Sequence, residues 1–241
     1  MLKIDLHLHT LMSGDSHNTV YEYIQRAKEL KMKAIGVSEH GPNLENSKVH
    51  RYYLWNLERI PEKVDGVRIL KGVEANIIST KGRLDVPDKT LKKLDYIIAN
   101  IHKGAGYNVN DTKKNTKSLV NAIRSGKIDI ISHPFHTKEV PADIKIIFEE
   151  ACKNNVLLEI DLAYLKERFI QKNTIPNLRI MIGIVKKYNK KVIINSDAHN
   201  IWELADDSAL TKKLRKEIGL TDDLIINNYP KELEKFLGVK F

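Results

Sequence analysis

Hydrophobic positions along the chain gather into seven short, nearly continuous runs, at residues 2–8, 34–37, 67–73, 96–101, 128–131, 156–160 and 192–194. Each is rich in Ile, Val and Leu without strict alternation, as expected of strands covered on both faces. Between them lie stretches with apolar residues at helical spacing, notably 20–30, 116–125, 142–154 and 178–188. Ser125-Gly126 and Asn154-Asn155 offer the left-handed residue that commonly ends a helix. Strand alternating with helix predicts right-handed crossovers and a parallel sheet. Seven such units in 241 residues predict an α/β barrel rather than a short open sheet. The tail from Leu220 reads as a strand or turn followed by a short helix over 231–237. With no linker or low-complexity segment, a single domain over 1–241 is expected.

Composition narrows the class. Hydrophobic residues at 42% and charged residues at 29% are globular proportions and exclude wholesale disorder or collagen-like repetition. The lone cysteine, Cys152, excludes an internal disulfide and a Cys-based zinc cluster. The start, Met1-Leu2-Lys3-Ile4-Asp5, carries charge within its apolar run, unlike a secretory signal. No apolar stretch reaches the roughly 18–20 residues of a membrane helix. A cytoplasmic protein with no membrane partner is therefore expected. The net charge of +9 invites anionic partners. The lysines, however, fall in scattered pairs such as Lys92-Lys93 and Lys186-Lys187, which reads as a solvated surface.

The chemistry collects where the apolar runs end. In order they terminate in Asp5-Leu6-His7-Leu8-His9, Ser38-Glu39-His40, Gly72-Val73-Glu74, Asn100-Ile101-His102, Ser132-His133-Pro134, Glu159-Ile160-Asp161 and Asn195-Ser196-Asp197-Ala198-His199. Successive positions 7, 40, 74, 102 and 133 are 28 to 34 residues apart, and 133 to 197 is two such intervals. A parallel barrel brings all strand C-termini to one rim, where active sites sit. His7 and His9, at i and i+2, share one side of their strand. Asp5 lies on that side too, placed either to orient a ligating imidazole or to bond backbone. Asp197 and His199 repeat the parity at the last strand, so two opposed chelating pairs make a multinuclear metal site natural. A single His at a strand end is commonly just a satisfied polar group, and His50 is read that way. His136 is read equally as structural or as a support to the site, and His17 lies in the polar loop after the first strand.

The ensemble Asp5-Leu6-His7-Leu8-His9-Thr10, Glu39-His40-Gly41-Pro42, Gly72-Val73-Glu74, His102, His133-Pro134 and Ser196-Asp197-Ala198-His199 resembles the PHP (polymerase and histidinol phosphatase) family. The likeness runs in order over about residues 1–200. The length and the Glu74-Ala75-Asn76-Ile77 continuation look most like its small stand-alone phosphoesterases. The resemblance implies a distorted seven-stranded, TIM-like (β/α)7 barrel with a metal-binding core over about 1–200 and a C-terminal extension over about 205–241. It further implies three divalent transition-metal ions, zinc, manganese or iron, held by His7, His9, His17, His40, Glu74, His102, His133, Asp197 and His199. Glu74 is implied to bridge two of them. Ser38-Glu39-His40 departs from the family's Thr-Asp-His at a neighbour of the ligand. The loop after His102 and the segment 159–162 follow no recognisable subgroup.

Imidazole and carboxylate donors suit those metals better than Ca²⁺ or Mg²⁺. Three divalent ions against Glu74 and Asp197 leave a positive site that favours an anionic substrate. The expected reaction is hydrolysis of a phosphate ester by a bridging hydroxide held by Glu74, His17 and Asp197. Lys103 is the candidate contact to the substrate's phosphate, with Arg83 behind it. The leading expectation is a phosphomonoesterase acting on a small phosphorylated metabolite. The alternatives are a nuclease or phosphodiesterase acting on DNA or oligonucleotides, or a histidinol-phosphatase-like enzyme. Further away stand an amidohydrolase-type enzyme, which would leave His17, His102 and His199 idle, and a non-catalytic metal-binding module.

Overall fold

The computed structural model describes residues 2–107 and 110–241. The strands are β1 (Ile4–Leu8), β2 (Ala34–Val37), β3 (Lys63–Val64), β4 (Val67–Asn76), β5 (Tyr96–Asn100), β6 (Ile130–Ile131), β7 (Leu157–Asp161) and β8 (Val192–Asn195). Seven of them form one parallel sheet in the order β1-β2-β4-β5-β6-β7-β8, while β3 pairs antiparallel with the start of β4. The seven apolar runs of the sequence are these seven parallel strands. The sheet is nearly closed into a barrel. At its seam the end of β1 bridges the segment that follows β8, Leu8 to Ala198, with the His9 N–H donating to the Ala198 carbonyl at 2.9 Å. Below that bridge the ladder is completed by side-chain amides. Asn195 accepts from the Leu6 N–H at 2.9 Å. Asn227 accepts from Ile194 N–H and donates to the carbonyls of Ile4 and Ile194.

The main helices are α1 (Val20–Glu29), α2 (Arg51–Asn56), α3 (Asp88–Leu91), α4 (Thr112–Arg124), α5 (Ile144–Lys153), α6 (Thr174–Lys187), α7 (Lys212–Ile218) and α8 (Pro230–Leu237). Asn155 and Gly126 adopt the left-handed conformation foreseen after α5 and α4. Helix α4 begins a turn before the apolar periodicity because Asp111 caps it, accepting from the Lys114 N–H. Helices α4, α5 and α6 cover one flank of the sheet through a large apolar cluster that includes Phe148, Leu178 and Met181.

The lower half of the lumen is apolar. Ile4, Leu6, Leu70, Ile98, Ile130 and Ile193 meet around Tyr96, and Leu233 and Phe236 of α8 close the bottom. The Tyr96 ring crosses the lumen to donate to the Leu6 carbonyl at 2.6 Å. Gly36 and Gly72 leave the room for it, since a Cβ at either would run into the ring. With the bottom filled, inward polar side chains have space only at the upper rim. Gly72→Ala should lower stability by about 2 kcal/mol through overpacking, read as a reduced urea midpoint with unchanged m-value.

Candidate metal centre

At the upper rim the strand alternation turns Glu74 into the lumen, and a break in the β1–β2 register between Asp5 and Leu8 brings His7 and His9 in beside it. Glu74 ends the longest strand, is 1% exposed, and directs its two oxygens to different neighbours. Oε2 lies 2.9 Å from His40 Nδ1, 3.5 Å from His7 Nε2 and 3.7 Å from His9 Nε2. Oε1 lies 3.2 Å from both His102 Nε2 and His133 Nε2. Across the lumen Asp197 Oδ1 is 2.9 Å from His9 Nε2 and 3.4 Å from His7 Nε2. His199 stacks near His9, with ring centroids 4.6 Å apart. Four groups of converging donors result among the described residues: His7, His9 and Asp197; Glu74, His102 and His133; His9, His40 and His199; and His7 with Glu159 and Asp161. Two donors bound at about 2.1 Å to one tetrahedral ion are about 3.4 Å apart, which is the spacing seen here.

The outer edges of the imidazoles are pinned, which fixes their tautomers. His7 Nδ1 donates to Glu159 Oε1 at 2.9 Å, and Asn195 donates to the same oxygen. His102 Nδ1 donates to Asn76 Oδ1 at 2.7 Å, and Asn76 is itself held by Asp85. His9 Nδ1 donates to the Ser13 hydroxyl, which donates to Glu39. Glu39 also gathers Thr10 and Tyr53, so the Glu in place of the family's Asp anchors the loop that carries Ser13. Asp5 accepts from the amides of His7, Ser196 and Ala205 and from the Ser196 side chain. His133 and Asp197 hold left-handed backbone, φ 33° and 51°, a strain of about 1–3 kcal/mol each that aims both side chains inward.

The charges are interlocked. Burial disfavours an ionised Glu74, but His102 and His7 outweigh it and hold the carboxyl well below its ordinary range. Asp197 is likewise held low by His7, His199 and His9. Burial pushes His9 down to about 3, helped by the charges of His40 and His199. His40 is raised to about 10, against its burial, by Asp15 and Glu74. Three inward nitrogens, His7 Nε2, His40 Nδ1 and His102 Nε2, are buried without a hydrogen bond among the described residues, although carboxylate oxygens lie close by. These three nitrogens, converging on the carboxylates without a hydrogen bond, fit divalent cations placed between them.

The PHP domain model matches residues 5–162. A probable phosphatase of Caldanaerobacter subterraneus is 35% identical over 99% of this chain and 92% of its own length. The chain belongs to the PHP family. A probable phosphatase of Clostridium botulinum is 33% identical over 98% of this chain and 95% of its own length. The histidinol phosphate phosphatase of Lactococcus lactis, solved with zinc, L-histidinol and phosphate, superposes with a TM-score of 0.59 at 14% identity. It covers 91% of this chain and 94% of that one. A chain of an archaeal ribonuclease P complex with mature tRNA gives 0.64 at 18% identity, covering 98% and 90%. At such identities these two structures share the fold alone.

In this PHP domain one expected ligand stands apart. His17 is exposed, and its contact with the cluster is through backbone, its N–H donating to the His199 carbonyl. The reason is local. Ser16 turns inward to donate to the carbonyls of His9 and His199, and Asn18 turns inward to accept from the Ile201 N–H. The residue between them must face solvent. Asp15 reaches in instead, its Oδ2 3.1 Å from His40 Nε2 and 3.5 Å from His199 Nε2. The structure thus brings Asp15, and not the side chain of His17, to the cluster. Lys103 lines the cavity above the cluster, as does His136, which accepts a hydrogen bond from Gln171 at 2.8 Å. Arg83 is exposed and outside that cavity, and nearby Asp85 accepts from Asn76 and Asn43. His50 precedes α2, beside Tyr52.

Asp15→Ala should lower the bound metal per chain measured by elemental analysis, whereas His17→Ala should leave it unchanged. Glu159→Gln keeps the shape but removes the charge that supports His7, and metal titration should find affinity reduced about 10- to 100-fold.

Proposed function

We propose that this PHP phosphatase is a phosphomonoesterase for a small phosphorylated metabolite, acting at three divalent ions of the zinc, manganese or iron type. The observation that carries this reading is the set of three donor groups gathered around Glu74 at the floor of a cavity of about 360 Å³. His7, His9 and Asp197 would hold one ion, His102 and His133 a second, and His40, His199 and Asp15 a third, with Glu74 shared. The phosphatase relatives and the zinc of the Lactococcus enzyme support it.

When bound, the ions supply Lewis acidity toward phosphoryl oxygens and bring a water's pKa toward neutrality. The chain's own residues provide the rest. Glu74 fixes the spacing of neighbouring sites through its two oppositely directed oxygens. Glu159, Ser13 with Glu39, and Asn76 hold the imidazoles in the tautomer that presents a lone pair inward. Six imidazoles contribute no charge as ligands, so the carboxylates Glu74, Asp197 and Asp15 leave the loaded site positive and suited to a phosphate dianion. Lys103, one residue past His102 on the cavity wall, meets the substrate's phosphate. No Ser or Cys nucleophile is called for, and Cys152 is buried in α5 away from the rim.

The nucleic-acid alternative finds little support in the surface aromatics. Tyr52 and Trp55 pack edge to face outside the cavity, with Arg51 over one ring and Lys89 and Lys93 near the other. A base stacked there would lie outside the cavity that holds the donor groups. An amidohydrolase role is set aside by family membership. No helix among the described residues is long and apolar enough to cross a membrane.

Mn²⁺- or Zn²⁺-loaded protein should hydrolyse phosphomonoesters and leave single-stranded DNA intact; the reverse preference would overturn the proposal. His9→Ala or Asp197→Ala should abolish turnover while the far-ultraviolet circular dichroism stays native. Chelation should lower Tm, and readdition of the metal should restore it.

A further inference from the structure

The cavity extends beyond the metal cluster along a wall of rings. Tyr164 sits with its ring centroid 5.0 Å from that of His133 and 4.0 Å from that of His136, and Phe169 follows at 5.9 Å from Tyr164. All four rings line the one cavity that contains Glu74 and Asp197. Both ends of the wall are tied down. His133 is held by Glu159 through its backbone N–H at 3.0 Å. Arg168 lies over the Phe169 face at 4.6 Å and donates to Glu203 at 2.9 Å, while Glu203 accepts from the His199 N–H. Yet Phe169 and Ile170 remain 42% exposed, an apolar rim beside a polar site. Exposed apolar surface at a cavity mouth is what a ligand would cover.

We infer that the substrate is a phosphate ester whose alcohol half carries a flat ring, stacked on Tyr164 and Phe169 while its phosphate faces the metal cluster. This deepens the phosphomonoesterase reading and rests on it for the position of the phosphate. Arg168 is already paired with Glu203, so the wall recognises a ring face rather than a second anion. Its rings are fixed before binding, which limits the ordering cost on association. The wall starts at His133 itself, so the ring follows the ester oxygen closely. Both a nucleoside and a simple aryl alcohol have this chemistry.

The test compares a nucleoside 5′-monophosphate, phenyl phosphate and glycerol 2-phosphate on metal-loaded protein, by calorimetric Kd and by kcat/KM. The ring-bearing esters should bind about tenfold tighter than glycerol 2-phosphate, the scale of one base–aromatic stack. Phe169→Ala and Tyr164→Ala should bring that ratio toward one, and Tyr164→Phe should preserve it. A nucleotide binding more tightly than phenyl phosphate marks the ring as a nucleobase, and the opposite order marks a smaller ring. Equal binding of all three esters, or a ring preference untouched by Phe169→Ala, overturns the inference, and hydrolysis of all three would then leave the phosphatase reading intact. Ring-selective binding without hydrolysis of any ester would sustain the wall's role and overturn the phosphatase reading instead.

Discussion

The upper half of this barrel is organised by one buried carboxylate. Taking Glu74 out of water is unfavourable unless positive charge or hydrogen bonds surround it, and its two oxygens face imidazoles from β1 and from the segments following β2, β5 and β6. Those imidazoles crowd one another in turn, with the His9 and His40 centroids only 4.0 Å apart. Full protonation would set like charges side by side, and full neutrality would strand Glu74 and Asp197. Divalent cations placed among the donors resolve both problems, because neutral imidazoles then serve as ligands and the carboxylates meet positive charge directly. The same requirement explains why so many buried nitrogens lack hydrogen-bond partners while their opposite edges are bonded with care.

The scaffold separates that polar load from the source of stability. Below the rim, the lumen is filled by aliphatic residues around Tyr96 and stoppered by α8, so the barrel is a packed core and not a channel. Outside it, α4–α6 bury a second apolar layer. Left-handed backbone at His133 and Asp197 is tolerated because both follow short strands whose ends are pinned, His133 by Glu159 and Asn100, Asp197 by the bridge of Ala198 to β1.

Most of the rim was legible in the sequence because two periodicities map position onto space. A repeat of about 30 residues assigns each strand end to one face of the molecule, and alternation within a strand decides which residues point inward. His7, His9, His40, Glu74, His102, His133, Asp197 and His199 all obey the first rule, and Glu74 and His102 the second; a register break in β1 turns His7 and His9 inward, and left-handed backbone aims His133 and Asp197. Loops obey neither. The choice between Asp15 and His17 turns on Ser16 and Asn18 facing inward to bond carbonyls and an amide across the seam, and nothing in the spacing reveals it. The supports Glu39, Asn76 and Glu159 stand at strand ends, yet their partners come from distant segments, so residue type alone gave them no role. The short β3 and α3 went unread for a simpler reason: two and four residues carry no period.

The same contrast separates chemistry from specificity. The donors sit on strand ends that cannot move without breaking the sheet. Tyr164 and Phe169 sit on the connection between β7 and α6, whose attachment to the cluster runs through Arg168 and Glu203. A substitution in that connection alters what lies beyond the phosphate while Glu74 and its imidazoles keep their places. Such a division lets one cage serve many esters, and with a ring stacked on Tyr164 and Phe169 as proposed, the choice of alcohol would rest on the ten residues that follow β7 rather than on the histidines.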